Sequence, residues 1–196
     1  MKKINKGLIL TIIVVIALTI YLVNLEKQRN EEKPQIRTIC EKFIEITDKY
    51  SFLSEEKQKL DINITEDEIE QYKTSLKNEL KNIIILNEKA VLLQYQVIEE
   101  NLQKGYNKLE ARTRQKRTIK KVTGYEFDGN QVTVKFENRL ERTTKYFDGV
   151  EEQIENKGFD ALYDEIILQK IDGEWKVVYA NLQFNDYDQY YDLMMF

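Results

Sequence analysis

The sequence predicts an α+β fold: N-terminal helices packed on one face of a curved antiparallel sheet, plus an N-terminal transmembrane helix. Three observations carry this. An uncharged apolar run occupies Gly7 to Val23. Apolar residues then recur at three-to-four spacing along two helical stretches. From Tyr106 onward the spacing becomes two, and turn pairs separate the alternating runs.

The run GLILTIIVVIALTIYLV contains only Thr11, Thr19 and Tyr21 as hydroxyl-bearing residues. At ~1.5 Å per residue it reaches roughly 26 Å, and Leu25 extends it toward the thickness of a bilayer core. Bulky residues follow it in YLVNLEKQ, where a cleaved signal peptide needs small ones. Residues 7–25 therefore read as an uncleaved membrane anchor. Lys2, Lys3 and Lys6 place residues 1–6 in the cytoplasm by the positive-inside rule, and the domain outside it. Lys27, Arg29 and Lys33 on the other side weaken that bias.

Residues 26–34 are polar, end at Pro34 and read as a linker. A first helix follows from about Gln35 to Tyr50, with Ile36, Ile39, Cys40, Phe43 and Ile44 on one face. SFLSEEKQKLDIN interrupts it, with room for a short helix near Ser54. Thr65 and Glu68 form a capping-box signature. They open a second helix on Ile69, Tyr72, Leu76, Leu80 and Ile83, expected to continue to about Gly105. Between Ile83 and Leu93 the chain is apolar nearly all round, and periodicity leaves a buried helix and a partly extended segment both open.

Two hairpins follow. A two-residue loop at Gly129-Asn130 pairs Phe127 with Val132, Tyr125 with Val134, Thr123 with Phe136 and Ile119 with Leu140. One face becomes apolar, and Lys120, Glu126, Lys135 and Glu137 occupy the other. The same register sets Arg117 opposite Arg142 on the apolar face. The second hairpin turns at Asp172-Gly173 and pairs Leu168 with Val177 and Ile166 with Tyr179.

Composition excludes several chemistries. The chain has 196 residues, enough for one domain and an attachment segment. Its net charge of -4 gives no reason to expect a nucleic-acid partner. There is no His, so Ser-His and Cys-His nucleophile pairs are impossible. The one Cys, Cys40, permits neither an intrachain disulfide nor a multi-thiolate zinc site. On its helical face it reads as a buried structural thiol, with a reactive thiol or an intermolecular disulfide as alternatives.

The helix pair followed by TIKKVTGYEFDGNQVTVKFENRL and DEIILQKIDGEWKVVYANL resembles the nuclear transport factor 2-like, or cystatin-like, superfamily. The ending ILQKIDGEWKVVYANL is the most typical part. The chain is similar in particular to extracytoplasmic domains that precede amidase domains in low-GC Gram-positive bacteria. The resemblance spans about Gln35 to Leu182 and bears on fold rather than activity. It implies a cone-shaped domain with a pocket between helix and sheet.

Candidate site residues follow from that cone. Asp164 and Glu165 begin the third long strand, so one of them points inward, and Tyr125 and Tyr179 are expected to face the core. A buried carboxylate beside Tyr can act as a base. Structurally, the same acids would instead pair with basic neighbours. Arg117 and Arg142 side by side call for an anion or nearby carboxylates, and an anionic envelope polymer or lipid headgroup would suit. The tail, residues 185–196, interleaves Asp186, Asp188 and Asp192 with aromatic and apolar residues but lacks an EF-hand pattern.

The resulting expectation is a non-catalytic binding or scaffold module that uses no cofactor and no metal. Its domain, residues 35–184, would engage a protein partner in the envelope. One alternative is a single-span subunit of a conjugation or type IV secretion apparatus. A further alternative is a small-molecule enzyme using a carboxylate in the cone pocket.

Overall fold

In the computed structural model of the chain, the described residues are 6–52, 65–85, 106–107 and 110–182. The predicted helix near Ser54, the ambiguous stretch after Ile85 and the acidic-aromatic tail lie outside them. The chain divides into two compact units, Met1–Arg37 and Thr38–Phe196.

Helix α1 spans Lys6–Lys49. Within the first unit it is long and apolar enough to cross a membrane, and none of its most apolar stretch is buried. Every large apolar side chain from Ile9 to Val23 is exposed. The two threonine hydroxyls of this stretch hide their polarity in the helix itself. Thr11 Oγ1 donates to the Gly7 carbonyl at 3.0 Å and Thr19 Oγ1 to the Val15 carbonyl at 2.8 Å.

The expected linker at 26–34 is helical instead, with Pro34 inside α1. Pro34 removes one backbone hydrogen bond. The residues before it are good helix formers linked along one turn. Gln28 Nε2 donates to Glu32 Oε1 at 3.2 Å, and Lys33 Nζ to Asn30 Oδ1 at 2.6 Å. Polarity there marks a solvated helix rather than a break.

In the second unit α1 buries Cys40, Phe43, Ile44 and Ile46, and then Thr47 and Asp48. Helix α2 spans Glu66–Leu80 and starts at the predicted capping box. Thr65 Oγ1 accepts from the Glu68 N–H at 3.3 Å, and Glu68 Oε2 accepts from the Thr65 N–H at 3.0 Å. Leu76 and Leu80 are its buried residues. The end of α1 meets the middle of α2 where Tyr50 and Tyr72 pack edge to face, 6.1 Å between centroids. Tyr50 Oη and Lys49 Nζ both donate to Glu79 Oε1, at 2.8 and 2.6 Å.

The expected continuation of α2 fails directly after Leu80. Ile84 instead forms a parallel bridge with Val177. The Val177 N–H donates to the Ile83 carbonyl at 2.7 Å, and the Ile85 N–H donates to the Val177 carbonyl at 3.0 Å. An apolar run with no polar face can satisfy its backbone against a sheet edge as well as within a helix.

The sheet is an antiparallel meander in the order β1-β2-β3-β4-β5. Strand β1 is the pair Tyr106–Asn107, and the four full strands are β2 (Glu110–Asp128), β3 (Gln131–Phe147), β4 (Glu152–Ile171) and β5 (Glu174–Asn181). Val132, Val134, Phe136, Asn138 and Leu140 alternate inward along β3. Ile166 and Leu168 of β4 and Trp175 and Val177 of β5 join them in the core. The second hairpin turns at Asp172 (φ 50) and Gly173 (φ 87), the two positive values a type I′ turn requires.

Register near the turns agrees with the pattern: Phe127 faces Val132, Tyr125 faces Val134 and Leu168 faces Val177. Farther out it does not. Lys120 and Thr123 are extra residues in β2, so Val122 faces Phe136 and Ile119 faces Asn138. Arg117 thus sits opposite Leu140, and Arg142 opposite Gln115. Val178 is extra in β5, which sets Tyr179 opposite Ile167 rather than Ile166. Strand β4 begins a dozen residues before Asp164, where polar residues are held by the ladder with β3 rather than by an apolar alternation.

Candidate functional site

Among the described residues, the inner face of the sheet is apolar except at one place, where α1, β2, β3 and β4 each contribute buried polar residues. Asp48 comes from the last turn of α1, Gln115 and Arg117 from β2, Asn138 and Arg142 from β3, and Asp164 from β4. Two carboxylates and two guanidinium groups make the cluster formally neutral.

Asp164 reaches this place because of a bulge. Between Ala161 and Asp164, β4 has two residues where β3 has only Glu137 between its partner positions. The bulge turns Leu162 and Tyr163 outward, 53% and 76% exposed, and turns Asp164 fully inward. There Asn138 Nδ2 donates to Asp164 Oδ2 at 2.5 Å. Arg117 Nε lies 3.7 Å from the same oxygen, with both side chains fully buried. That distance marks an ion pair rather than a hydrogen bond.

Asp48 closes the cluster from the helix side. Its Oδ1 accepts from Gln115 Nε2 at 3.0 Å, and its Oδ2 accepts from the Arg117 backbone N–H. Burial pushes its carboxyl above the ordinary range, against the opposing pull of Arg117, Gln115 and Arg142. Burial likewise lowers the Arg117 guanidinium, opposed by Asp164 and Asp48. The amide oxygens of Gln115 and Asn138 have no hydrogen-bond partner among the described residues.

Of the six residues singled out in the sequence, three converge here: Arg117, Arg142 and Asp164. The other three do not. Glu165 points to the opposite face, opposite Lys135 and Asn181. Tyr125 is half-buried beside the Gly129 turn, away from Asp164. Tyr179 is 43% exposed, a correction to its expected core position that follows from the extra residue Val178. Burial and then Glu165 raise its phenol above the usual value. Arg117 and Arg142 also do not face each other, because the β2 bulges shift the ladder by two residues.

Asp48, Gln115 and Asn138 escaped the sequence reading, although two of them left a trace. Asp48 stands four residues after Ile44 and eight after Cys40, a charge on the apolar stripe. Asn138 interrupts the inward alternation Val132, Val134, Phe136, Leu140. A polar residue at a core-facing position is the signal for a buried network.

Chemically the cluster is sealed. Among the described residues, Asp164 has an amide and a guanidinium beside it. Trp175, Phe136 and Leu168 are 3%, 0% and 0% exposed and occupy the inner face toward β5. Trp175 packs edge to face on Phe127, 6.3 Å between centroids. No group of three or more Cys, Asp or Glu among the described residues is placed to hold a metal ion.

Fold and site together define an α+β domain with an open antiparallel sheet and, among the described residues, one candidate membrane-spanning helix near the N-terminus. No family model and no curated protein matches the chain. Among solved structures it is similar to the intermembrane-space region of the chloroplast protein ARC6, at 15% identity and a TM-score of 0.38. That match covers 76% of this chain and 93% of the other.

Proposed function

We propose that this is a single-pass membrane protein whose folded domain lies outside the cytoplasm and binds a protein partner in the envelope without catalysing a reaction. The observation that carries the non-catalytic part is the fully buried Arg117–Asp164 pair. The carboxylate best placed for acid-base work in a cone pocket is neutralised by a cation, bonded to Asn138 and out of water. A general base must reach its substrate within hydrogen-bond distance. Asp164 is spent on holding β2, β3 and β4 together.

The membrane part rests on the exposed apolar run from Ile9 to Val23, whose side chains have no protein core to enter. The outward placement rests on the lysines before it. A protein so tethered acts where its partners are concentrated in two dimensions, so modest surface contacts suffice.

The test is photo-crosslinking of the full-length chain in its native membrane, combined with protease added to intact cells. A discrete crosslinked protein, and digestion of the domain from outside, are the expected results. A protected domain rejects the orientation. A chain that crosslinks to nothing under conditions where other envelope complexes are trapped rejects the binding module.

A further inference from the structure

The hairpin tip between β3 and β4 gathers apolar side chains outside the core. From the Asn138–Ala161 pair to the Phe147–Glu152 pair the two strands run in one register without a bulge. This regular ribbon carries the loop of residues 148–151. Val150, at its apex, is 86% exposed, more than any other large apolar residue among the described ones. Ile154 and Phe147 are 66% and 41% exposed. Phe147 faces Glu152 and Lys145 faces Ile154, so Phe147 and Ile154 are diagonal neighbours on the outer face of the sheet.

The loop is fixed by its own residues. Asp148 Oδ1 accepts from the N–H groups of Val150 and Glu151, at 2.9 and 3.0 Å, and Asp148 Oδ2 accepts from Gln153 Nε2 at 3.2 Å. Gln153 Nε2 also donates to Glu151 Oε1 at 3.0 Å. Gly149 (φ 99) supplies the left-handed step of the turn. The N–H groups of Glu151 and Val150 hold the Asp148 carboxyl below its usual range, so it stays charged. An apolar side chain displayed on a preset loop loses little freedom when a partner covers it.

The charges around Val150 select the partner. Glu152 pairs with Lys145 at 3.4 Å and Glu155 with Lys157 at 2.9 Å. Asp148 and Glu151 have no cation beside them among the described residues, so the rim of the tip is negative. A second copy docked tip to tip would set these carboxylates against themselves, and an anionic lipid surface would repel them.

We propose that this tip inserts into an apolar pocket on another protein, with Val150 as anchor flanked by Phe147 and Ile154, and with Lys or Arg side chains ringing the pocket to meet Asp148 and Glu151. An apolar anchor inside a charged rim is the arrangement in which a few residues carry most of the binding. The inference rests on the reading of the domain as a module that binds an envelope protein, and it assigns the contact to one end of the sheet.

The experiment uses the full-length chain in its native membrane, with a photoreactive phenylalanine analogue in place of Phe147 or, separately, of Tyr179. Tyr179 is a similarly exposed aromatic on the same face, at the other end of β4. A discrete protein adduct from position 147 and none from 179 is expected, with Lys or Arg beside apolar residues in the partner's linked peptide. Adding Val150→Asp should cut the yield at least about tenfold. Adding Glu151→Lys should cut it at least about threefold. Both side chains are exposed, so melting temperatures should not move. Adducts from 179 alone leave the binding module standing and overturn the assignment to the tip. Adducts from neither position reject the module and the tip together. Adducts of position 147 only with a second copy of the chain or only with lipid, or a yield that neither substitution lowers, also overturn it.

Discussion

Arg117 Nε and Asp164 Oδ2 stand 3.7 Å apart on neighbouring parts of one sheet, with both side chains wholly out of water. Neither residue pairs with the other in the backbone ladder. Arg117 faces Leu140 and Asp164 faces Phe136, so the ion pair spans β3 from β2 to β4, and Asn138 of β3 bonds to the same carboxylate. The pair is a cross-tie through the core. Such a tie specifies register more than it adds stability, because desolvating both charges offsets most of their attraction.

Removing one partner exposes that asymmetry. Asp164→Ala should destabilise the domain by about 3–5 kcal/mol, since it strands a buried guanidinium. Replacing both partners with apolar residues of similar volume, Arg117→Met/Asp164→Leu, should recover most of the loss. Urea titration of the two variants in micelles checks the order. A double variant as unstable as the single one contradicts it.

Asp48 should give the domain an unusual dependence on pH. Its folded carboxyl titrates above the ordinary value of 3.8, because burial outweighs the attraction of Arg117, Gln115 and Arg142. The folded state then holds the proton more tightly than the unfolded chain. Asp48's contribution is therefore full below 3.8 and is lost as pH rises through the raised folded value. Melting temperatures across that window should fall more steeply with pH for the parent than for Asp48→Asn. Identical slopes would remove Asp48 as the source.

Cys40 should be inert while the chain is folded. It is fully buried, and desolvation first, then Glu41, pushes its thiol up to about 12. The thiolate is the reactive form, so labelling by a soluble disulfide reagent at neutral pH should proceed only through unfolding. Labelling rates that rise with urea in step with unfolding are expected, whereas rapid labelling of the folded chain would mean that Cys40 is accessible.

The start of α2 should depend on its capping box. Thr65→Ala removes the oxygen that accepts from the Glu68 N–H, and a loss of about 1 kcal/mol is expected. Thr65→Ser should retain most of that stability, measured by the same urea titration.

The anchor should respond to charge at its centre. Ile16→Arg replaces a favourable residue with one that costs about 3 kcal/mol in insertion. A larger share of the variant should leave the membrane in alkaline carbonate. Equal retention would point to attachment by other means.

Much of this architecture was written locally. The apolar run of Gly7 to Val23 needs only its own residues to exclude water-facing function. The Thr65–Glu68 box and the Asp172-Gly173 turn are short-range chemistry, and the alternation of Val132, Val134 and Phe136 states which face of β3 goes inward. Composition alone, with no His and one Cys, removed several classes of catalysis and of metal site. What the tertiary structure decided was where each alternation breaks. The extra residues Lys120, Thr123 and Val178, and the bulge at Leu162-Tyr163, have no signature of their own. A bulge forms where the partner strand and the packing beneath favour one more residue, and that energy belongs to several strands at once. Those four interruptions sent Tyr179 outward, separated Arg117 from Arg142 and turned Asp164 onto Asn138. The buried cluster follows from them, and Asp48 joins it because the end of α1 lies over Gln115 and Arg117, 67 and 69 residues away in the chain.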